Sequence, residues 1–227
     1  MTAFAEVRAC VFDAYGTLFD FASAVARAPG VPEEKRAALT ALWRDKQLQY
    51  TWLRTLQGRY VDFWQVTADA LDYALESLGL ADPALREELM RLYLTLAPFP
   101  EVPEVLERLK AKGLTVAILS NGTPAMLESV VASAGLSPFV DRIFSVDAVG
   151  AFKTDRRVYQ YALEELGLTP NQVSFQSSNG WDAYAASDFG FRVVWVNRYS
   201  QRPERLPGSP DVVATTLHGL IEALAAA

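Results

Sequence analysis

The sequence has few of the groups that build disulfides, thiolate sites and histidine sites. Cys10 and His218 are the single cysteine and the single histidine among 227 residues. An internal disulfide is impossible, which favours a reducing, cytoplasmic location. Chemistry based on a histidine base or on several histidine ligands is nearly excluded. We interpret Cys10 as small core filler and His218 as a surface residue of the last helix.

Positive charge and long apolar runs are also scarce. The 21 lysines and arginines face 27 acidic residues, which gives a net charge of −6. No nucleic-acid partner is expected because no basic stripe is available to neutralise phosphates. No apolar run approaches the roughly 18 residues of a membrane span, and residues 1–6 lack the features of a signal peptide. We therefore expect no membrane partner.

What the sequence does contain is an apolar fraction of 51% arranged in two patterns. Near-continuous apolar strands alternate with helices, which indicates a parallel sheet covered on both faces. A block of helices follows the first strand, and Pro98, Pro100 and Pro103 mark its end. The predicted fold is an α/β, Rossmann-like core with helices on both faces and an inserted all-helical cap. The predicted ranges are 1–19 and 98–227 for the core and 20–97 for the cap.

One predicted helix, at about 33–57, has more apolar surface than one buried face needs. It should pack on two surfaces, either two parts of its own chain or a second subunit. A homodimer and burial within one subunit are both compatible with this pattern. The two apolar stripes are Leu39, Trp43, Tyr50 and Leu53, and Leu48, Trp52 and Leu56.

Polar side chains follow four of the predicted strands. The carboxyl ends of parallel strands meet at one edge of a sheet, so these side chains can converge. Taken singly, Asp13 could be a helix cap, Ser120 a turn residue and Lys153 a solvated charge. Asp182 could be a charge at a helix start. A convergent carboxylate, lysine, hydroxyl and amide set is far more specific. The set contains Asp13, Thr17, Ser120, Asn121, Lys153, Ser177, Asn179 and Asp182.

Four segments resemble the motifs of the haloacid dehalogenase superfamily. They are Asp13-Ala-Tyr-Gly-Thr17, Leu119-Ser-Asn-Gly122, Phe152-Lys153 and Ser177-Ser-Asn-Gly-Trp-Asp182. Tyr15 and the segment 42–54 are similar, more narrowly, to the L-2-haloacid dehalogenases, and the resemblance covers essentially the whole chain. It implies hydrolysis of short L-2-haloalkanoic acids to D-2-hydroxyalkanoic acids without metal or cofactor. It also implies a homodimer.

The resemblance also implies catalytic roles. Asp13 would be the nucleophile that forms an ester with the substrate. Lys153 would keep Asp13 ionised and oriented, because a nearby opposite charge favours the anion. Asp182, with Asn179 nearby, would position or activate the hydrolytic water. The supporting residues would be Thr17 and Ser177 as hydrogen-bond partners, and Tyr159, which matches a family tyrosine and is equally good as core.

Substrate binding needs donors for a carboxylate and for a leaving halide. Ser120 and the backbone N–H groups that follow Asp13, at Ala14 and Tyr15, could bind the carboxylate. The resemblance assigns the halide to three residues: Arg44, Asn121 and Trp181. Unaided spacing leaves alternatives open, since Arg44 fits a surface arginine, Trp181 fits core packing, and Arg54 and Arg59 are rivals of Arg44.

Two departures and two rival functions complete the sequence-based interpretation. Thr154 follows Lys153 where the family commonly has proline, so the backbone there is less restricted, and Gly180 stands where alanine is often seen.

The first rival is a Mg²⁺-dependent small-molecule phosphatase. Tyr15 and Ser178 occupy the positions where such enzymes carry acids, which leaves too few oxygen ligands for a hard cation. The second rival is a non-catalytic binding protein on the same fold.

Overall fold

The computed structural model describes residues 3–226, which form an α/β fold around a six-stranded sheet. Its strands are β1 (Ala9–Phe12), β2 (Thr115–Ser120), β3 (Arg142–Ser145), β4 (Val173–Ser177), β5 (Arg192–Val196) and β6 (Val212–Ala214). They lie in the order β3-β2-β1-β4-β5-β6. Every neighbouring pair is parallel. The predicted parallel sheet is confirmed, with β6 as an unpredicted edge strand.

Nine α-helices belong to this described part of the chain. Four of them lie between β1 and the fifth helix, so the predicted helical insertion is confirmed. Among residues 3–226, no helix is long and apolar enough to cross a bilayer. The helices are α1 (Ala22–Arg27), α2 (Glu33–Leu56), α3 (Phe63–Ser77), α4 (Pro83–Tyr93), α5 (Val102–Ala111), α6 (Pro124–Ser133), α7 (Arg156–Leu166), α8 (Gly180–Phe189) and α9 (His218–Ala225).

Two chain segments connect the inserted helices to the rest of the fold. The N–H of Asp20 donates to the carbonyl of Ala97 at 2.8 Å, and the N–H of Phe99 donates to the carbonyl of Leu18 at 3.0 Å. The entry and exit segments therefore lie side by side. The division into a core of 1–19 and 98–227 and a cap of 20–97 stays a prediction, and residues 1–2 and 227 lie outside the described part.

Local sequence signals explain where the inserted helices start. The carboxylate of Asp62 accepts the N–H of Gln65 and begins α3. The carboxylate of Asp82 accepts hydrogen bonds from the N–H groups of Ala84 and Leu85, and Pro83 is the first residue of α4. These caps satisfy backbone donors that a helix start leaves without a partner. An aspartate cap followed by proline at the first helical position is a start signal that the sequence itself carries.

The buried face of α2 differs from the predicted stripes. Leu39 and Trp43 are buried, but the stripe continues through the polar residues Gln47 and Thr51. Leu53 is 50% exposed and lies outside the core, so packing within one subunit does not cover this part of the predicted stripe. Leu56, from the second predicted stripe, is 84% exposed. Residues four apart share one helix face, so Gln47 and Thr51 continue the buried face that starts with Leu39 and Trp43, although the pattern favours apolar residues on such a face.

The central position of β1 determines where the polar side chains meet. Phe12, the last residue of β1, pairs with Ile118 of β2 on one side and Gln176 of β4 on the other. Asp13 therefore follows β1 at the same sheet edge where Ser120 ends β2 and Ser177 ends β4. Crossover connections return each strand in the same direction, so groups distant in sequence converge there.

Cys10 and His218 lie where the sequence predicted. Cys10 is fully buried in β1, and burial raises the pKa of its thiol to about 12. A thiol with so high a pKa stays protonated and unreactive at neutral pH. His218 begins α9 with a side chain that is 42% exposed. Cys10 is therefore core filler and His218 a surface residue of the last helix, as predicted.

Candidate active site

Asp13 stands at the centre of a buried hydrogen-bond network at this sheet edge. Its Oδ1 accepts one hydrogen bond, from Nζ of Lys153 at 3.0 Å. Its Oδ2 accepts from the hydroxyl of Thr17 at 2.9 Å and from Nδ2 of Asn179 at 2.8 Å. Oγ of Ser177 reaches Oδ2 at 3.5 Å, a distance at which the bond is weak. The two carboxylate oxygens are therefore held unequally.

Lys153 bridges two buried carboxylates. Its Nζ donates to Asp13 and, at 2.8 Å, to Oδ2 of Asp182. Burial alone would lower the pKa of Lys153, but the two carboxylates outweigh burial and raise it. The lysine is thus charged at neutral pH although its side chain is buried.

Asp182 is fully buried in the first turn of α8. Its Oδ1 accepts a hydrogen bond from the hydroxyl of Tyr159 at 2.7 Å. Burial raises the pKa of Asp182, and the charge of Asp13 adds to this effect while Lys153 opposes it. The higher pKa makes Asp182 a stronger proton acceptor than an exposed aspartate, and Tyr159 contributes a hydrogen bond to this network.

Thr17 and Ser177 connect the loop that follows β1 to the segment after β4. Oγ1 of Thr17 donates to Asp13 and also accepts the N–H of Ser178 at 2.8 Å. Oγ of Ser177 accepts the N–H of Asn179 at 3.1 Å. These bonds hold both segments against Asp13, so its carboxylate has one fixed orientation.

Arg44 reaches this network from α2. Its Nη1 donates to Oε1 of Gln47 at 2.8 Å. Its Nη2 lies 3.3 Å from Oδ1 of Asn179 and 3.4 Å from the carbonyl of Tyr15. The guanidinium carbon lies 5.6 Å from the ring centre of Phe21, a cation–π distance. Arg44 therefore joins the inserted helices to the sheet edge.

Arg54 and Arg59, the two alternatives to Arg44, have different surroundings. Arg54 forms an ion pair with Asp69 at 2.9 Å, and Arg59 is exposed. Gln47 was absent from the sequence-based site. Its signal was its position three residues after Arg44, which puts the two side chains on one helix face.

Ser120 is the last residue of β2, and Asn121 follows it close to Lys153. Oδ1 of Asn121 accepts the backbone N–H of Lys153 at 3.0 Å, which leaves the side-chain amide N–H groups directed away from that bond. Oγ of Ser120 accepts the N–H of Gly122 at 3.1 Å. Both side chains are buried. They offer a hydroxyl and an amide without adding a charge.

Ala14 and Tyr15 are buried directly after Asp13. The Tyr15 ring packs on Tyr93 and Phe63, with centroids 5.1 and 5.7 Å apart. A Cβ at Gly122 would come within 2.9 Å of the Tyr15 hydroxyl, so glycine is required there. Tyr15 therefore fills apolar space at the position where a Mg²⁺-dependent phosphatase would carry an acidic side chain.

Trp181 forms part of the wall between the network and solvent. Its ring packs edge to face on Trp52 of α2, with centroids 5.5 Å apart. Together with Arg44 and Asn179 it lines a cavity of about 890 Å³ between the inserted helices and the sheet edge. Asn179 lines this cavity and donates to Asp13, so the cavity reaches the edge of the network although Asp13 itself is nearly buried.

The donor set offers little to a divalent cation. The Lys153 ammonium lies between the carboxylates of Asp13 and Asp182, at 3.0 and 2.8 Å. A hard cation prefers several oxygen ligands. Residues 3–226 contain no group of three or more histidine, cysteine, aspartate and glutamate side chains arranged to hold a metal.

Comparisons with known proteins find a matching family model and similar relatives. A family model described as haloacid dehalogenase-like hydrolase matches residues 7–190. An (S)-2-haloacid dehalogenase of Pseudomonas sp. (strain YL) is 46% identical over 95% of this chain and 94% of its own length.

Two solved structures are also similar over nearly their whole length. The crystal structure of an L-2-haloacid dehalogenase is 44% identical, with a TM-score of 0.94, over 97% of this chain and 100% of that one. The L-2-haloacid dehalogenase from Xanthobacter autotrophicus with chloropropionic acid covalently bound is 39% identical. Its TM-score is 0.90, over 96% of this chain and 98% of that one.

Proposed function

This chain belongs to the haloacid dehalogenase-like hydrolases, and we propose that it hydrolyses short L-2-haloalkanoic acids to D-2-hydroxyalkanoic acids. The observation that carries the proposal is the buried Asp13–Lys153 pair, which Asn179 connects by a hydrogen bond to the cavity lined by Arg44 and Trp181. Relatives named (S)-2-haloacid dehalogenase support the same activity. The reaction uses a halogenated carboxylate and water.

In the first step, Asp13 attacks the carbon that carries the halogen. Oδ1 is the attacking oxygen, because it accepts one hydrogen bond while Oδ2 accepts from Thr17, Asn179 and Ser177. A C–O bond forms as the carbon–halogen bond breaks, and the halide leaves with the bonding electron pair. Displacement from the back inverts the carbon, and the product is an ester on Asp13.

The departing halide is stabilised by a cation, an amide and an apolar wall. Arg44 supplies the charge, and the side-chain N–H groups of Asn121 are available because its oxygen faces Lys153. Trp181 excludes competing water. Donors that are already in place as charge develops give the largest stabilisation.

The substrate carboxylate is bound by uncharged donors. The hydroxyl of Ser120 and the backbone N–H groups of Ala14 and Tyr15 follow their strands at the same sheet edge. Successive backbone N–H groups form a concave anion site without a further cation. The carboxylate can thus be held beside Asp13 although the protein carries net negative charge.

In the second step, water attacks the ester carbonyl carbon of Asp13. The oxyanion develops on Oδ2, where Thr17 and Asn179 already donate. Asp182 accepts the proton from water, in keeping with its raised pKa. The tetrahedral intermediate then collapses, and the same proton passes to the departing alkoxide. The second proton of water leaves the Asp13 carboxyl for solvent, which restores the carboxylate. The inverted carbon is left untouched, so an L-substrate gives a D-product.

The activity is tested by halide release from (S)-2-chloropropanoate in the presence of EDTA. We expect turnover with the chelator, because Lys153 supplies the positive charge that a metal would otherwise bring. The (R)-enantiomer is the control and should react far more slowly. An enzyme silent on every 2-haloacid, with phosphatase activity after Mg²⁺ addition, would contradict the proposal and support the phosphatase.

A cytoplasmic location and a homodimer are further parts of the proposal. A single buried cysteine supports a reducing compartment. Leu53 and Leu56 expose apolar surface along α2, at 50% and 84% exposure. A second copy of the chain could cover this surface, which a lone subunit leaves in water.

The dimer is tested by placing a charge on that surface. Leu56→Glu should shift the protein from dimer to monomer in analytical ultracentrifugation, because burying a carboxylate without a partner is costly. Val213→Glu is the matched control, since Val213 is 59% exposed on the edge strand β6. A monomeric wild type contradicts the homodimer, and dissociation by Val213→Glu alone would move the interface to β6.

A further inference from the structure

Gln47 is a fully buried amide on α2 that none of the proposed steps uses. It lies three residues after Arg44, on the same face of the helix. A buried amide destabilises a fold unless its donors and its acceptor find partners. The partners of Gln47 therefore indicate what this side chain does.

The hydrogen bonds of Gln47 give its amide one orientation. Oε1 accepts from Nη1 of Arg44 at 2.8 Å, while Nε2 donates to Oγ1 of Thr67 at 2.8 Å and to the hydroxyl of Tyr93 at 3.1 Å. Thr67 donates its own proton to the carbonyl of Phe63 at 2.6 Å. Arginine has only donors, so the amide oxygen must face Arg44 and the amide nitrogen must face Thr67.

These bonds tie Arg44 to three helices of the insertion. Gln47 belongs to α2, Thr67 to α3, and Tyr93 is the last residue of α4. The bond between Arg44 and Gln47, at 2.8 Å, is shorter than the contacts of Arg44 with Asn179 and Tyr15. A long arginine side chain loses considerable rotamer entropy when it is fixed, and Gln47 supplies its firmest anchor.

We propose that Gln47 is a positioning residue that holds the Arg44 guanidinium where the halide leaves. The inference rests on the proposed dehalogenation. A neutral amide fixes the guanidinium through one N–H and leaves its full positive charge and its other N–H groups for the leaving group. A carboxylate in the same position would hold Arg44 equally well but would neutralise it. The amide thus combines a fixed position with an undiminished charge.

The leaving group provides the readout. Chloride needs more stabilisation than bromide because it is the poorer leaving group, and kcat/KM reports the steps through displacement. In Gln47→Met, kcat/KM should fall on the order of tenfold with (S)-2-chloropropanoate. It should fall less with (S)-2-bromopropanoate. The ratio of bromide to chloride reactivity should therefore rise several-fold.

A second variant separates charge from position. Gln47→Glu keeps Arg44 anchored by an ion pair but cancels part of its charge. The ratio of bromide to chloride reactivity should rise here too, and KM for the anionic substrate should increase. This variant also carries the test alone if Gln47→Met fails to fold.

The control is Thr51→Val, another buried polar position on α2, whose hydroxyl donates only to the carbonyl of Leu48 at 2.7 Å. Its halogen ratio should equal that of the wild type. Equal losses with both halogens in the two Gln47 variants would overturn the positioning role and leave a structural one. A wild type that releases no halide from any 2-haloacid would instead overturn the proposed function, so the two failures are distinguishable.

Discussion

Asp13→Asn is expected to lower halide release from (S)-2-chloropropanoate on the order of 10⁴-fold or more. The amide is a far weaker nucleophile than the carboxylate, and the proposed ester cannot form at a useful rate. Lys153 would also lose one of its two anionic partners. Halide release is measured with purified protein, and thermal unfolding is followed in parallel to establish that the variant is folded.

Asp20→Asn is the matched control for this substitution. It makes the same chemical change in the same loop, where the carboxylate of Asp20 accepts only the N–H of Ala22 at the start of α1. Its turnover should stay near that of the wild type. Wild-type turnover in Asp13→Asn would remove Asp13 as the nucleophile. A wild type that binds haloacids without turnover, with affinity unchanged in Asp13→Asn, would favour the binding-protein reading.

The ester route makes a separate prediction for a single turnover with excess enzyme in ¹⁸O water. The product hydroxyl takes its oxygen from Asp13, and the oxygen of water enters the Asp13 carboxylate. Mass spectrometry should therefore find the label in the peptide that contains Asp13 and not in the hydroxyacid. Label in the first-turnover product would mean that water attacks the substrate carbon directly.

Lys153→Met should nearly abolish turnover and also destabilise the fold. The carboxylates of Asp13 and Asp182 would remain buried without the cation that bridges them. Removing one partner of a buried ion pair typically costs about 3–5 kcal/mol, because the remaining charge is left uncompensated. Halide release and chemical denaturation measure the two effects. Lys153→Arg should not restore activity, because a larger planar guanidinium replaces a compact ammonium in a closed site.

The stability deficit of Lys153→Met should depend on pH with a defined sign. Burial raises the pKa of Asp182, while Lys153 opposes that rise. Without Lys153 the pKa of Asp182 rises further. A carboxyl whose pKa is higher in the folded than in the unfolded state makes the fold less stable as the pH increases. The difference in unfolding free energy between Lys153→Met and the wild type should therefore decrease as the pH falls from neutral toward 3.8, the ordinary pKa of this carboxyl.

Lys112→Met controls for the loss of one charge at an exposed position. Its unfolding free energy should follow the wild type within a few tenths of a kcal/mol across this range, as surface substitutions usually do. A gap that stays constant or widens on acidification would contradict a buried, uncompensated carboxyl pair in Lys153→Met.

The sequence was sufficient for the sheet and its long helices because their signals are local and repeated. The near-continuous apolar strands and the helix at about 33–57 followed from their hydrophobic patterns. The helix α1 and the strand β6 escaped detection because six and three residues are too short to show a period. The burial of Gln47 and Thr51 on α2 was missed because hydrophobic periodicity assigns buried positions to apolar residues.

The strand order was likewise decided by tertiary structure. Nothing local in β1 states that its neighbours are β2 and β4, which begin more than a hundred residues later. The carboxyl ends of parallel strands lie at a common edge of the sheet, and this general rule can be applied to strands predicted from the sequence. This rule was enough to predict that Asp13, Ser120 and Ser177 converge.

The sequence by itself determined the chemical groups: a carboxylate after the first strand, a lysine, hydroxyls, amides and an aromatic at position 15. Only the tertiary structure decided between Arg44, Arg54 and Arg59, since one pairs with Asp69, one is exposed, and Arg44 meets Asn179 across 135 positions of sequence. It also decided which oxygen of Asp13 accepts fewer hydrogen bonds. Residue types and strand ends are written locally, whereas hydrogen-bond partners depend on distances between segments that only the folded chain brings together.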